Sequence, residues 1–298
     1  MYKPLISVCI PTYNGSKYIE EALQSVNNQT YRPLEIIISD DSSTDNTLQI
    51  VNNFKVKTDI VIRCFLHRRK GIGSNLNNCV INSLGEFIKF VFQDDFMENN
   101  CIEKMLECAI KFKNIGLVFC KRKILLENND IDINDFNEWY KQFGNLTDSW
   151  TNLKEFQTGV ELLNDDKFLH SPYNKVGEPI APLINKECFY KVGYFNTFLK
   201  QALDYEFYYR VFKHYNVGFI NEELVTFRRH STQATEKNRN NKFSYEYELL
   251  FISYFKNLFN CFSKKVKKDL LIRIIGMPIN FIYKLTFAQV KYYFRRQF

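Results

Sequence analysis

The chain has 298 residues, enough for one sizeable hydrophobic core, and its hydrophobic (45%) and charged (24%) fractions are those of an ordinary folded protein. These values exclude an intrinsically disordered or fibrous chain. The net charge of +7 belongs to the end of the chain, because residues 241–298 contain 11 Lys or Arg against three Asp or Glu. A nearly neutral body argues against a nucleic-acid partner, whereas the basic tail favours an anionic membrane surface.

Cysteine usage and the two ends of the chain indicate where the protein works. The eight cysteines form no C-x-x-C pair, and several lie in apolar runs, so we expect free thiols in a reducing compartment. The chain starts without a signal-peptide pattern, and the longest uncharged stretch of the tail, residues 274–283, is about half of a spanning helix. The sequence therefore predicts a cytoplasmic protein, with its tail as a contact to the inner face of the cell membrane.

Short apolar runs alternate with helical periodicity through the first 120 residues. Strands are predicted at residues 5–10, 34–39, 60–65, 87–92 and 116–120, where the runs are nearly continuous, as in strands covered on both faces. Residues 19–26, 48–54 and 105–112 repeat apolar side chains every three or four positions and predict helices. This order predicts an α/β fold with a doubly wound, mostly parallel sheet and helices on both faces.

The second half of the chain is less regular. Residues 128–152 are rich in Asn and Asp and predict an irregular insertion or lid, and residues 168–182 predict a loop. A helix at 203–214 and strands at 217–220 and 224–228 follow, and residues 247–262 predict an amphipathic helix. We therefore divide the chain into a catalytic domain, 1–240, with halves 1–120 and 121–240, and a basic amphipathic helical tail, 241–298.

Polar side chains follow three of the predicted strands. They belong to the segments Pro11-Thr12-Tyr13-Asn14, Asp40-Asp41-Ser42-Ser43-Thr44-Asp45 and Gln93-Asp94-Asp95. Because ligands of open parallel sheets bind at the carboxyl ends of the strands, these segments predict one site. Four clustered carboxylates would repel one another, and a divalent cation would relieve that repulsion. Taken singly, the same segments are also typical of turns and helix caps.

These three segments, together with Gly85-Glu86-Phe87-Ile88, resemble the inverting family 2 glycosyltransferases of the GT-A fold, over about residues 5–231. The resemblance implies that Pro11 and Tyr13, with the adjoining Thr12 and Asn14, line a nucleobase pocket. It implies that Asp41 accepts a hydrogen bond from a pyrimidine, and that Asp94, preceded by Gln93, holds the ribose.

The resemblance also implies a metal site. Asp95 matches the metal-binding carboxylate of the family, and His230 matches a late histidine that often completes the site with Mn²⁺ or Mg²⁺. A hard cation bound by carboxylate oxygen would stabilise the charge of a leaving nucleoside diphosphate. His230 is also open to interpretation as a surface histidine beside two arginines, and Arg228 or Arg229 would then serve the diphosphate directly.

The segment Leu203-Asp204-Tyr205-Glu206-Phe207 resembles the acidic motif that carries the catalytic base of the family. Asp204 would take the proton of the acceptor hydroxyl, with Glu206 as the fallback base, although an acid in a first helical turn also stabilises the helix dipole. Gly177 and Glu178 resemble part of the acceptor-side loop.

Two positions depart from the family pattern. Phe92 stands two positions before Asp94, where an acid is common. Leu76 stands where an Arg is common, with Asn77 next to it as a donor-side residue, so a phosphate contact would come from Arg68, Arg69 or Lys70.

The leading hypothesis is a metal-dependent transferase that moves a sugar from a nucleotide donor, UDP-linked, to a hydroxyl of a lipid-linked or surface glycan. Two alternatives stay open: a synthase that loads a polyprenyl phosphate, and a catalytically silent glycan-binding relative. For the tail, the alternatives to membrane binding are packing on the catalytic body and packing on a second subunit in a homodimer.

Overall fold

A computed structural model of the chain describes residues 2–127, 131–233, 236 and 246–277. The strands are β1 (Ile6–Thr12), β2 (Leu34–Asp40), β3 (Val61–Leu66), β4 (Phe87–Phe90), β5 (Phe96–Met97), β6 (Ile115–Leu126), β7 (Phe156–Thr158), β8 (Pro182–Asn185) and β9 (Asn216–Arg229). The helices are α1 (Ile19–Asn27), α2 (Thr47–Lys55), α3 (Ile72–Asn82), α4 (Cys101–Lys111), α5 (Ile133–Phe143), α6 (Gly159–Leu163), α7 (Glu187–Val192), α8 (Leu203–Phe212), α9 (Glu246–Leu258) and α10 (Lys264–Ile275). Short 3₁₀ turns lie at Leu146–Ser149 and Phe259–Cys261.

The strands form one sheet in the order β3-β2-β1-β4-β8-β6-β9-β5, and β7 pairs with β9. The first four strands are mutually parallel, as predicted. Strand β8 then runs antiparallel to both β4 and β6, and β9 lies parallel to β6. The α/β fold is therefore confirmed, with a parallel half that carries the predicted strand ends and a second half of mixed direction.

Both faces of the sheet are buried. In β2, Ile36 and Ile38 pack into one core with apolar side chains of α1, α2 and α4. Between them, Ile37 points to the other face and packs into a second core with α3 and α8. Successive side chains of a strand alternate between faces, so an apolar run without interruption is what two covered faces require.

Two elements of the second half differ from the sequence prediction. The predicted irregular insertion contains helix α5, whose first amides, those of Asn134 and Asp135, are capped by the Asp132 carboxylate. No residue of α5 is buried. The two strands expected near residues 217–228 form the single strand β9, because both segments continue the same pairing with β6.

The tail helices belong to the hydrophobic core. Leu250, Tyr254 and Leu258 of α9 pack in the same cluster as Phe168 and Tyr209 of the catalytic body. Val266 and Leu270 of α10 join that cluster. The predicted apolar stripe therefore covers the body, which was one of the alternatives for the tail.

Further features concern the ends of the chain and its thiols. Lys284, Lys291, Arg295 and Arg296, which extend the basic pattern of the tail, lie outside the described residues. In the described part of the chain, no helix has the length and apolar character to cross a membrane. All eight cysteines are free, and six of them are buried.

Candidate active site

The carboxyl ends of β1, β2 and β4 lie side by side, because β1 pairs with both of the others. Pro11 and Thr12 are the last residues of β1, opposite Ser39 and Asp40. The Thr12 hydroxyl donates to Asp40 at 2.8 Å. Asp40 also accepts from the amide (2.8 Å) and the hydroxyl (2.6 Å) of Ser43, so its carboxylate holds the turn that begins the β2–α2 loop.

Asp41 fixes the loop that leads into α3. Its Oδ1 accepts from the Lys70 amide at 2.6 Å, and its Oδ2 accepts from the Gly71 amide at 2.9 Å. In the same loop, the Arg69 guanidinium lies 4.0 Å from the centre of the Tyr13 ring. Asp41 thus links the end of β2 to the loop after β3. The same loop places the Arg69 cation on one face of the Tyr13 ring.

The loop after β1 is held by Gln93 and Asn14. The Gln93 side chain accepts from the Tyr13 amide at 2.8 Å and donates to the Tyr13 carbonyl at 3.1 Å. The Asn14 side chain accepts from the Thr44 amide at 2.8 Å. A Cβ on Gly15 would lie 2.3 Å from Gln93 Oε1, so a larger residue here would displace the Gln93 amide from Tyr13, which the sequence pattern alone did not reveal.

Asn77 connects the two halves of the sheet. Its amide nitrogen donates to the Phe195 carbonyl at 2.9 Å, and its oxygen accepts from the Phe195 amide at 3.0 Å. One N–H and one oxygen lone pair of Asn77 are thus used by the backbone, and one of each is left for a ligand. The neighbouring Leu76 is fully buried in the core, and its side chain lines the site cavity described below.

Asp94 and Asp95 lie between β4 and β5. Asp95 Oδ1 accepts from the Arg228 amide at 2.9 Å, while its Oδ2 is buried without a hydrogen-bond partner. Burial, reinforced by the charge of Asp94, raises the pKa of Asp95 well above its usual value. His230 Nε2 lies 3.1 Å from Asp94 Oδ2, and its Nδ1 lies 2.9 Å from the Thr232 hydroxyl.

These residues fit a divalent cation in their chemistry. The Oδ2 of Asp95 is buried and has no hydrogen-bond partner, so it lacks the positive partner that a buried carboxylate requires. The neighbouring Asp94 pairs with His230. Carboxylate oxygen and imidazole nitrogen are ligands that Mn²⁺ accepts. Within the described ranges, the protein does not bring three such side chains together by itself. A cation here would therefore take further ligands from a bound phosphate or water.

The two arginines of β9 make structural contacts. Arg228 donates to the Asp94 carbonyl at 3.0 Å, pairs with Glu127 at 2.8 Å and with Glu21, and lies over the Tyr18 ring. The Arg228 guanidinium thus holds α1 and the end of β6 to the Asp94 segment, and its direct role on a diphosphate stays a prediction. Arg229 is almost fully buried and pairs with Glu236 at 2.7 Å.

Asp204 lies in the first turn of α8, at the edge of a cavity. It is only 7% exposed, and its Oδ1 is buried without a hydrogen-bond partner. Burial raises the pKa of Asp204 to about 8. A carboxylate with a pKa near the working pH is suited to general base catalysis, since it accepts a proton readily and still releases it.

Asn174, which the sequence analysis missed, organises the acceptor-side loop. Its oxygen accepts from the amides of Val176 (3.1 Å) and Gly177 (2.9 Å), and its nitrogen donates to the Gly177 carbonyl at 3.0 Å. The same nitrogen donates to Asp204 Oδ2 at 3.3 Å. Gly177 has a φ of +126°, and a Cβ there would lie 2.6 Å from Ala181 Cβ, so glycine is required.

The two glutamates predicted on the acceptor side have different surroundings. Glu178 lies on the cavity, where its Oε2 is 2.5 Å from Arg122 Nε. Glu206 faces the tail: it pairs with Arg210 at 3.0 Å and accepts from the Ser253 hydroxyl of α9 at 2.5 Å. The carboxylate of Glu206 thus joins α8 to α9, and its assignment as fallback base and acceptor contact stays a prediction.

A cavity of about 720 Å³ lies between Asp94 and Asp204, and its lining does not include Tyr13, Asp41, Asp95 or His230. Its lining combines Asp94 of the β4–β5 loop, Glu178, Asp204 and Asn174 with Trp139 on helix α5. Helix α5, which lies in the predicted insertion, thus lines the cavity. Asp204, a buried carboxyl with a raised pKa, and Asp94, which precedes the candidate metal ligand Asp95, thus lie on one cavity. Such an arrangement is suited to accepting a proton close to the place where an anion leaves.

The sequence and the fold both match known proteins. The sequence model of glycosyl transferase family 2 matches residues 7–167. A Rickettsia prowazekii protein named as an uncharacterized glycosyltransferase is 28% identical over 284 residues, which cover 95% of this chain and 79% of that protein.

Two solved structures share the fold at low sequence identity. Staphylococcus aureus TarS 1–349 in complex with UDP-GlcNAc superposes with a TM-score of 0.62 at 17% identity, over 96% of this chain and 74% of that one. The mannosyltransferase PcManGT from Pyrobaculum calidifontis, in complex with GDP-Man and Mn²⁺, superposes with a TM-score of 0.60 at 17% identity, over 92% and 70% of the two chains.

Proposed function

The chain belongs to glycosyl transferase family 2, and on that basis we propose that it transfers a sugar, with inversion, from a UDP-linked donor to a hydroxyl of a lipid-linked or surface glycan. The observation that carries this proposal is the buried Asp204, whose pKa is raised to about 8, on the same cavity as Asp94. An inverting transferase needs such a base next to the site of its leaving diphosphate.

The carboxyl ends of β1, β2 and β4 would bind the nucleotide. Tyr13 offers a ring face to a base, Asp41 offers oxygens at the loop before α3, and Asp94 lies nearest to the cavity. The fold is shared with TarS in complex with UDP-GlcNAc, which supports a uridine nucleotide as the first donor to test.

A divalent cation, Mn²⁺ or Mg²⁺, would be held by Asp95 and His230 with Asp94 beside them, and when bound it supplies charge stabilisation to the leaving diphosphate. The orphaned Oδ2 of Asp95 supports this assignment, as does the Mn²⁺ complex of PcManGT on the same fold.

Asp204 would act on the acceptor. Its carboxylate accepts the proton of the acceptor hydroxyl as that oxygen bonds to the anomeric carbon. The carbon–oxygen bond to the diphosphate breaks on the opposite face, and the electron pair leaves with the diphosphate. Asn174 holds the carboxylate, and α5 with the 171–179 segment limits the access of water to the cavity.

The test is a screen of nucleotide sugars for release of nucleoside diphosphate, with Mn²⁺, with Mg²⁺ and with a chelator. We expect metal-dependent release from one UDP-sugar, and its loss in the Asp204→Ala and Asp95→Ala variants. A folded protein that releases no diphosphate from any donor is a silent glycan-binding relative, and the proposal is then wrong.

For the tail we propose a contact with an anionic membrane through α10. Lys264, Lys265 and Lys268 are exposed on this helix, and Ile272 and Ile275 are exposed at 58% and 81% on its later turns. The test is co-sedimentation with vesicles containing anionic lipid. A triple Lys→Glu variant at these lysines is expected to stay in the supernatant; equal pelleting of both forms rules the contact out. Sedimentation velocity of the same sample tests the homodimer.

A further inference from the structure

The cavity of the candidate site carries more negative than positive charge. Six carboxylate side chains and three basic side chains line it. The carboxylates are those of Asp94, Asp135, Glu138, Glu178, Asp204 and Glu236. Even with Asp204 protonated, as its pKa of about 8 implies at neutral pH, the lining keeps a negative surplus.

The two arginines on the cavity are engaged by these carboxylates. Arg122 Nε lies 2.5 Å from Glu178, and its other nitrogens donate to the carbonyls of Gly144 (3.1 Å) and Phe143 (2.7 Å). Arg229 lies 2.7 Å from Glu236. Each guanidinium thus has a carboxylate beside it, so a phosphate that approaches either arginine also meets the negative charge of Glu178 or Glu236.

The third basic residue lies at the donor end. Lys200 is exposed, and its Nζ lies 3.9 Å from the position of a Cβ on Gly71, just before α3 begins. The positive end of the α3 dipole lies at the same place. The cavity is therefore polarised: its positive end adjoins the nucleotide loops, and its acidic end lies beneath α5.

The lining also contains aromatic side chains. Trp139, Tyr173, Tyr205, Phe227 and Tyr247 contribute ring surface. Trp139 is half-buried, and Arg229 lies over its ring at 4.0 Å. Aromatic rings beside a few polar groups suit the C–H faces and hydroxyls of a sugar, and they bring no positive charge for a phosphate.

We propose that the acceptor group entering this cavity is an uncharged sugar whose hydroxyl meets Asp204, and that acceptors bearing phosphate or carboxylate at that position are rejected. This inference rests on the proposed transferase function. It excludes the loading of a polyprenyl phosphate, because that reaction places the phosphate itself at Asp204. A diphosphate–lipid carried at the far end of a glycan, outside the cavity, remains compatible with it.

The experiment compares matched acceptors with the full-length protein and the donor that the screen identifies. Each pair is an alkyl glycoside with and without a phosphate on the same sugar, and dodecyl phosphate is added as a model of a polyprenyl phosphate. We expect the neutral member to increase UDP release and to be glycosylated, and the phosphorylated member to react at least about tenfold more slowly.

Three results overturn the inference while donor hydrolysis is intact: phosphorylated glycosides react as fast as neutral ones, dodecyl phosphate is glycosylated faster than the neutral glycosides, or no neutral glycoside reacts. Absence of hydrolysis with every donor is a different result, because it removes the proposed function itself.

A charge-reversal variant tests the electrostatic cause. Glu138 is exposed on α5 at the cavity, so Glu138→Lys leaves the core unchanged. We expect the preference for the neutral glycoside to fall about tenfold in this variant. Glu107→Lys, an exposed position on α4 away from this cavity, is the matched control and should keep the parental preference. An unchanged preference in Glu138→Lys contradicts the role of the carboxylates.

Discussion

The Asn174 side-chain nitrogen donates to Asp204 Oδ2 at 3.3 Å, while its oxygen holds the amides of Val176 and Gly177. One amide side chain thus sets both the acceptor-side loop and the orientation of the proposed base. A hydrogen bond donated to a carboxylate favours its charged form, whereas burial, the largest effect at Asp204, raises its pKa to about 8.

Removing this donor should shift the pH profile. In Asn174→Ala we expect the pKa of Asp204 to rise further, so that the rate falls about tenfold at pH 7 and recovers in part at pH 9. The measurement is kcat/KM against pH, with the exposed Asn152→Ala as control. An equal loss at every pH indicates that Asn174 acts on the loop alone.

Asp204→Asn should reduce kcat by about a thousandfold, because the amide accepts no proton. Donor binding, measured as the UDP-induced shift in Tm, should stay within the parental range, since α8 keeps its other contacts. Retention of more than a tenth of the parental kcat assigns the base to another residue.

The same variant should stabilise the fold. The pKa of Asp204 in the folded chain, about 8, lies above its unfolded value, so folding stability falls as pH rises between about 4 and 8. The Tm advantage of Asp204→Asn is therefore expected to grow from pH 5 to pH 8.

Asp45 is a control whose pKa shift has the opposite sign to that of Asp204. Partial burial raises its pKa, but hydrogen bonds from Thr47 and Ser16 outweigh this effect and lower the pKa to about 2. Its stabilising contribution is present above about pH 4 and is lost as pH falls towards 2, so Asp45→Asn should lower Tm at pH 7. If the Tm difference between Asp204→Asn and the parent is the same at pH 5 and pH 8, the raised pKa of Asp204 is contradicted.

Asp95→Asn tests the metal. The asparagine oxygen still accepts the Arg228 amide, so the fold should persist, whereas the affinity for a cation should fall by at least about tenfold. The measurement is the rise in Tm with Mn²⁺ and UDP together, which should be present in the parent and in the exposed Asp59→Asn control. The same rise in Asp95→Asn contradicts the site.

Arg228 should matter for stability. Arg228→Ala removes the donor to the Asp94 carbonyl and one of the two cations beside Glu127, at a cost of about 2 kcal/mol, visible in urea unfolding. The KM for the donor, measured at a temperature where the variant is folded, should change less than about threefold. A large rise in the KM for the donor in Arg228→Ala, with unchanged stability, would instead support a direct contact of Arg228 with the diphosphate.

Removal of the tail should expose the core. A chain ending at residue 240 lacks Leu250, Tyr254 and Leu258, which cover Phe168 and Tyr209, so we expect a lower Tm and aggregation. A chain ending at Met277 keeps α9 and α10 and serves as the control. An unchanged Tm in the shorter chain shows that the catalytic domain folds alone.

The parallel half of the sheet was predictable from the sequence for a physical reason. Strand β2 is buried along its whole length, so its composition reports its environment directly. Its end at Asp40 and the end of β1 at Thr12 fall within two residues of the prediction. The juxtaposition of Asp41 with the other strand ends follows from parallel pairing alone.

Other parts of the site left little trace in the sequence. Asn174 acts through bonds to backbone groups of its own loop, and such bonds follow no periodicity. Glu206 and Asp204 lie two positions apart, and only the packing of α9 shows that one faces the tail and the other the cavity. For α5 a signal was present, since Phe136, Trp139, Tyr140 and Phe143 follow helical spacing.

Helix α5 lines the cavity, and none of its residues is buried. The free energy of folding therefore depends little on its sequence, whereas the shape of the space beneath it depends on its side chains directly. Selection can change this segment without loss of the core, which is not true of the tail helices. Exchange of residues 131–143 between relatives is therefore a route to altered acceptor choice on an unaltered donor site.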